Sequence, residues 1–154
     1  AAYGSNGVNI SRNVLANTEA GQGSSTLSTQ GAQLEGAYGF AIKDSWIASP
    51  LLGIKATQVS RNGYTETSGA TFPVTYNTVT QSATTTYAGA KVFGYVAPKV
   101  SIGASAGLEQ DLASSISNYS GSIYYLGAFN QAAPAIQKTR AFAAAPVVVA
   151  APAV

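Results

Sequence analysis

"KVSIGASAGLEQDL", residues 99–112, decides the fold. Its even positions are Val100, Ile102, Ala104, Ala106, Leu108 and Leu112, with Gln110 the one polar exception. Its odd positions, Lys99, Ser101, Gly103, Ser105, Gly107, Glu109 and Asp111, are small or charged. Successive side chains of a β-strand point to opposite faces, so this stretch has one apolar face and one wet face. It is also long. A strand tilted by about 45° needs about 9–11 residues to cross a bilayer, and this run has enough.

The same alternation returns along the chain. Residues 32–42 put Ala32, Leu34, Gly36, Tyr38, Phe40 and Ile42 on one face and Gln33, Glu35, Ala37, Gly39 and Ala41 on the other. From Trp46 the rule is followed less cleanly: the even face reads Ala48, Pro50, Leu52, Ile54 and Ala56, while the odd face carries Ser49, Gly53, Lys55, Thr57 and Arg61 with Leu51 and Val59 mixed in. Residues 83–97 set Ala88, Ala90, Val92, Gly94 and Val96 against Tyr87, Lys91 and Tyr95. Weaker strand signals cover 3–15, 117–129 and 138–149. Helical periodicity is weak throughout.

Alternation is also what a soluble antiparallel sheet shows. Composition separates the two cases. Charged residues make up 9% of the 154-residue chain, against about 25% in ordinary globular domains. A soluble surface needs more charge than this. The wet positions hold Gly, Ser, Ala and Thr with a few spaced charges, which suits a narrow interior. The predicted fold class is therefore all-β: an antiparallel up-and-down meander forming a transmembrane β-barrel or part of one. About six or seven strands are read over residues 1–145, followed by an Ala/Pro/Val-rich tail, 146–154. Pro146 and Pro152 argue against a central strand in that tail.

Short and long connections alternate. "KDS" (43–45) and "APK" (97–99) are tight; 17–31, 67–82 and 130–137 are long and polar. Transmembrane barrels have short periplasmic turns and longer outer loops. Tyr38, Phe40 and Trp46 bracket the first tight turn, and Phe93 and Tyr95 lie near the second, as an aromatic girdle would. "AAYGSNG" at the start shows no basic region followed by an apolar one, so an exported protein would be seen here as a mature form or a fragment.

The charges are assigned by the same logic. A cation facing lipid costs a few kcal/mol near the midplane, so charges belong inside. The lumen-lining candidates are Glu35, Lys55, Arg61, Lys91, Glu109 and Asp111. The lipid-facing candidates are Leu34, Tyr38, Phe40, Leu52, Ile54, Val100, Ile102 and Leu108.

Several chemistries are excluded or unsupported. Histidine and cysteine are absent, which removes a Ser–His or Cys–His pair, thiolate metal sites and disulfides. Glu109 and Asp111 point the same way on one strand, and matched cations on neighbouring strands explain them better than acid–base work. No cofactor, no metal and no catalytic residue is assigned, and the protein is read as no enzyme. The eight basic residues are scattered, so nucleic acid is not a partner. "NIS" (9–11) and "NYS" (118–120) match the glycosylation acceptor pattern, which an Asn/Ser-rich chain produces by chance.

"GAQLEGAYGFAIKDSWIASPLLGIKATQVSRNGYTET" (31–67) resembles the translocator barrel of bacterial autotransporters, the type V secretion proteins. The elements that carry the resemblance are Gly36 to Phe40, Trp46, Pro50 and Tyr64 to Glu66. "YGSNGVNISRNV" before them, "KVSIGASAGLEQDL" after them and "KTRAFAAA" (138–145) follow in the family's order. The chain has fewer strands than the family barrel and does not end on the family's aromatic terminal strand, so it resembles the later half of such a barrel. The resemblance implies an outer-membrane location, with outer-membrane lipid, a passenger polypeptide and the barrel-assembly machinery as partners, and self-association where the barrel is incomplete. The implied function is export or anchoring of the passenger through a polar lumen. The alternatives are a small outer-membrane structural or adhesin barrel, and a self-assembling β-rich surface or fibre protein outside the cell.

Overall fold

The structure, a computed structural model, describes residues 1–14, 19–43, 45–97 and 99–149. Asp44 and Pro98, central to the two tight turns, and residues 150–154 of the tail lie outside the described residues. The described chain is all-β and antiparallel.

Six strands make the main path: β1 (Ala2–Arg12), β2 (Gly21–Ala37), β4 (Trp46–Arg61), β7 (Val79–Ala97), β8 (Val100–Ile116) and β11 (Thr139–Ala144). They are neighbours in that order, each beside the next one in the chain, as an up-and-down meander requires. β3 (Phe40–Lys43) adds to β4, and β12 (Val147–Val149) adds to β8. Among the described residues β1 and β11, the ends of this path, do not pair with each other. A second sheet contains β5 (Tyr64–Thr65), β6 (Val74–Tyr76), β9 (Tyr119–Ile123) and β10 (Gly127–Gln131), in the order β10-β9-β6-β5. Its strands directly follow or precede β4, β7, β8 and β11 in the chain. The hairpins of the long connections are thus partly built of strand.

This corrects the reading of 17–31 and 67–82 as loops. Gly21 to Gly31 pair residue by residue with Arg12 to Ala2 of β1, and β7 already begins at Val79. Both stretches are Ser/Thr/Gly-rich, so neither face gives an apolar signal. Backbone pairing, which composition hides, holds them in the sheet. In the tail, Val147–Val149 pair with Ile102–Val100, and the Gly103 N–H donates to the Pro146 carbonyl at 2.9 Å. Pro146 itself stands outside the strands, as its missing N–H requires.

The chain divides into two compact units. One comprises Ala1–Ala32, Ala56–Ala83 and Ser114–Ile136 and holds the long connections; the other comprises Gln33–Lys55, Thr84–Ala113 and Gln137–Val154. Among the described residues the buried large apolar side chains are few: Val74 in the first unit, and Leu51 and Tyr87 in the second. Meanwhile Leu34, Leu52, Leu108 and Leu112 are each more than 60% exposed. A soluble domain rarely leaves so much large apolar surface in water.

Candidate functional site: a charged belt on the wet face

Alternation places Glu35, Lys55, Lys91, Glu109 and Asp111 on five positions of four neighbouring strands, all in the second unit. β11 contributes Arg140 and Phe142, because Arg140 pairs with Glu109 and Phe142 with Gly107. Directly opposed residues share a face.

The belt is ion-paired from end to end. Lys91 Nζ lies 3.0 Å from Glu35 Oε1. The Tyr87 hydroxyl donates to Glu35 Oε2 at 3.0 Å and accepts from Gln33 Nε2 at 2.5 Å. Lys55 Nζ donates to Glu109 Oε1 at 2.6 Å. Arg140 grips Asp111 with both terminal nitrogens, at 2.7 and 3.0 Å, and lies 3.6 Å from Glu109 Oε2. Thr85, fully buried, donates to Asp111 Oδ1 at 2.6 Å. Three acids therefore meet three bases, and the belt has no net charge. Both carboxylates of the Glu109–Asp111 pair are held by bases.

Aromatic rings seat against glycines on the same face. A Cβ at Gly53 would fall 2.3 Å from Tyr87 Cζ, and one at Gly107 would fall 2.7 Å from the Phe142 ring. Glycine at these two places lets a ring lie flat on the backbone of the next strand, a device that pins register. Tyr87 and Phe142 then meet edge to face, 6.4 Å apart. Together with Leu51 and Ser105, these groups line an open polar cleft.

The lumen candidates do not all meet. Arg61 lies in the other unit, with its guanidinium 5.1 Å from the Tyr64 ring and 5.8 Å from Tyr76. Aromatic stacking, rather than a carboxylate, holds it. Of the lipid-facing candidates, Leu34, Tyr38, Phe40, Leu52, Ile54 and Leu108 are exposed, while Val100 and Ile102, beside β12, are half-buried. Arg140, Tyr87 and Thr85 were not singled out from the sequence. The one available signal for Arg140 was its alternation with Phe142 and Ala144 in a short Ala-rich run.

A second cluster lies in the unit of the long connections. Arg12 donates to both oxygens of Glu66 at 2.9 Å, and Glu66 Oε2 also accepts the Val74 N–H at 3.0 Å. The Glu66 side chain is 1% exposed. The Arg12 guanidinium holds the Glu66 carboxyl below its ordinary value, and the Val74 N–H adds to this against the opposing effect of burial. Glu19 accepts the backbone N–H groups of Phe72 and Thr71, which lower its carboxyl in the same way.

A family model described as Autotransporter beta-domain matches residues 1–151. No curated protein matches the chain, and no solved structure does.

Proposed function

Because the chain belongs to the autotransporter β-domain family of bacterial outer-membrane translocator barrels, we propose that it exports or anchors a passenger polypeptide through a polar lumen, without catalysis. The self-neutralised belt carries this reading. Glu35, Lys55, Lys91, Glu109, Asp111 and Arg140 would line the lumen, opposite an apolar face formed by Leu34, Leu52, Ile54 and Leu108. Charged groups on the lipid side would cost about 2–4 kcal/mol each at midplane depth, so the ion pairs belong inside.

A lumen with paired charges presents hydrogen-bonding groups without a net field. An extended polypeptide of either charge can then pass without being held. A non-catalytic role agrees with the absence of histidine and with bases occupying both acids of the Glu109–Asp111 pair. The residue span 1–145 would form the barrel domain, the barrel-assembly machinery would insert it, and an incomplete wall would be closed by further strands or a second copy.

The test is a fusion carrying an epitope-tagged passenger ahead of residue 1, expressed in a Gram-negative host. The expected result is surface tag that added protease removes from intact cells. A barrel that inserts while the tag stays in the periplasm would overturn the proposal.

A further inference from the structure

The end of β3 has an irregularity with a chemical consequence. Phe40 pairs with Ala48 and Ala41 with Ile47, and then the register shifts so that Lys43 pairs with Trp46. Ile42 is the extra residue. An insertion of this kind re-aims the side chains that follow it. Without it, Lys43 would follow Ala41 onto the face of Ile47 and Leu51. With it, Lys43 stands opposite Trp46, and opposed residues share a face.

That face is the apolar one. Trp46 alternates with Leu52 and Ile54, and its ring covers Gly94, where a Cβ would lie 2.3 Å from Trp46 Cδ2. Phe40 is on the same side through its pairing with Ala48, and its ring meets Tyr38 edge to face at 4.8 Å. Lys43 is exposed there. Arg12, Lys55, Lys91 and Arg140 each hold a carboxylate; among the described residues Lys43 holds none. The adjacent tight turn brings a second exposed cation, Lys99, near this end, since the Tyr95 N–H donates to the Ser45 carbonyl at 3.1 Å.

An ammonium that no described carboxylate holds is costly on an apolar face in hydrocarbon, yet at the end of a strand its stem can carry it to the headgroups. Tryptophan and tyrosine favour the same depth. The complementary group there is phosphate. We propose that Lys43, turned onto the apolar face by the bulge at Ile42, binds the phosphate of an anionic phospholipid headgroup, one with no cation of its own, at the tight-turn end, beside Trp46 and Phe40. This rests on the apolar face meeting lipid.

Trp46 is the only tryptophan in the chain, so its fluorescence reports on this spot. The full chain is folded into phosphatidylcholine vesicles containing a minority of phosphatidylglycerol, with bromine on the chains of one lipid or the other. Wild type is expected to show enrichment of the anionic lipid in Trp46 quenching, of which Lys43 contributes a factor of about five, the effect of one lysine near an anionic surface. Lys43→Gln should therefore lower the ratio about fivefold, leaving what Lys99 contributes, while Lys43→Arg and Lys138→Gln keep it. Undiminished enrichment in Lys43→Gln overturns the proposal. A folded chain whose Trp46 neither lipid quenches overturns it differently, by showing that the apolar face does not meet lipid.

Discussion

Arg140 and Asp111 meet across β11 and β8 in a two-pronged pair, with Nη2 to Oδ1 at 2.7 Å and Nη1 to Oδ2 at 3.0 Å. Arg140 also donates to the Gln137 carbonyl at 2.9 Å, so one guanidinium fixes the start of β11 against its neighbour. Two parallel N–H···O bonds define direction as well as distance, which a lysine cannot reproduce. Asp111→Ala should lower the temperature at which the folded band is lost on a gel more than Lys91→Ala does. Arg140→Lys should fall between wild type and Arg140→Ala. Equal midpoints for Asp111→Ala and Lys91→Ala would refute the anchoring role.

Gly53→Ala tests the seat of Tyr87. The new methyl would occupy the place of the ring, so Tyr87 must move, and its bonds to Glu35 and Gln33 move with it. Overpacking of this kind costs about 1–3 kcal/mol. Tyr87→Phe loses the hydroxyl alone and should cost less. Urea unfolding followed by Trp46 fluorescence would measure both, and the order Gly53→Ala worse than Tyr87→Phe is the prediction.

The Glu66 cluster gives a pH dependence. Its carboxyl lies below 4.5 in the folded chain, so the unfolded chain binds more protons between the folded value and 4.5. Stability therefore rises with pH across that window and is fully present above it. Acidification through the folded value should free the segment from Thr71 to Val74, whose amides Glu19 and Glu66 hold. Hydrogen exchange at Val74 should accelerate on acidification relative to a residue of β8, after correction for intrinsic rates. Glu66→Gln should remove that response and cost about 1–3 kcal/mol at neutral pH. The same acid response in Glu66→Gln would place its cause elsewhere.

Leu108 and Ser105 lie on opposite faces of β8. Leu108→Arg should block insertion into vesicles, at a cost of about 2–4 kcal/mol if it lies near the midplane. Ser105→Arg, in the polar cleft, should insert. Protection from added protease distinguishes folded from adsorbed chain. Insertion of Leu108→Arg with exclusion of Ser105→Arg would reverse the two faces.

The sequence by itself determined the class. Alternation in 99–112 and 32–42 can be satisfied only by strands with unlike faces, and the scarcity of charge left the apolar face without a soluble purpose. It also determined which charges share a face, since parity is a local property of a strand. Which charges touch was decided by the tertiary structure. Glu109 meets Lys55, 54 residues away, and Asp111 meets Arg140 through a register that no single strand encodes. The Ser/Thr/Gly strands at 21–31 were hidden because both faces are polar, and only pairing with β1 reveals them. Lys43 shows the limit most directly. The sequence reads it as part of the tight turn 43–45, whereas the structure keeps it in β3, and one extra residue in the ladder, visible only when β3 and β4 are paired, sets it opposite Trp46 on the apolar side.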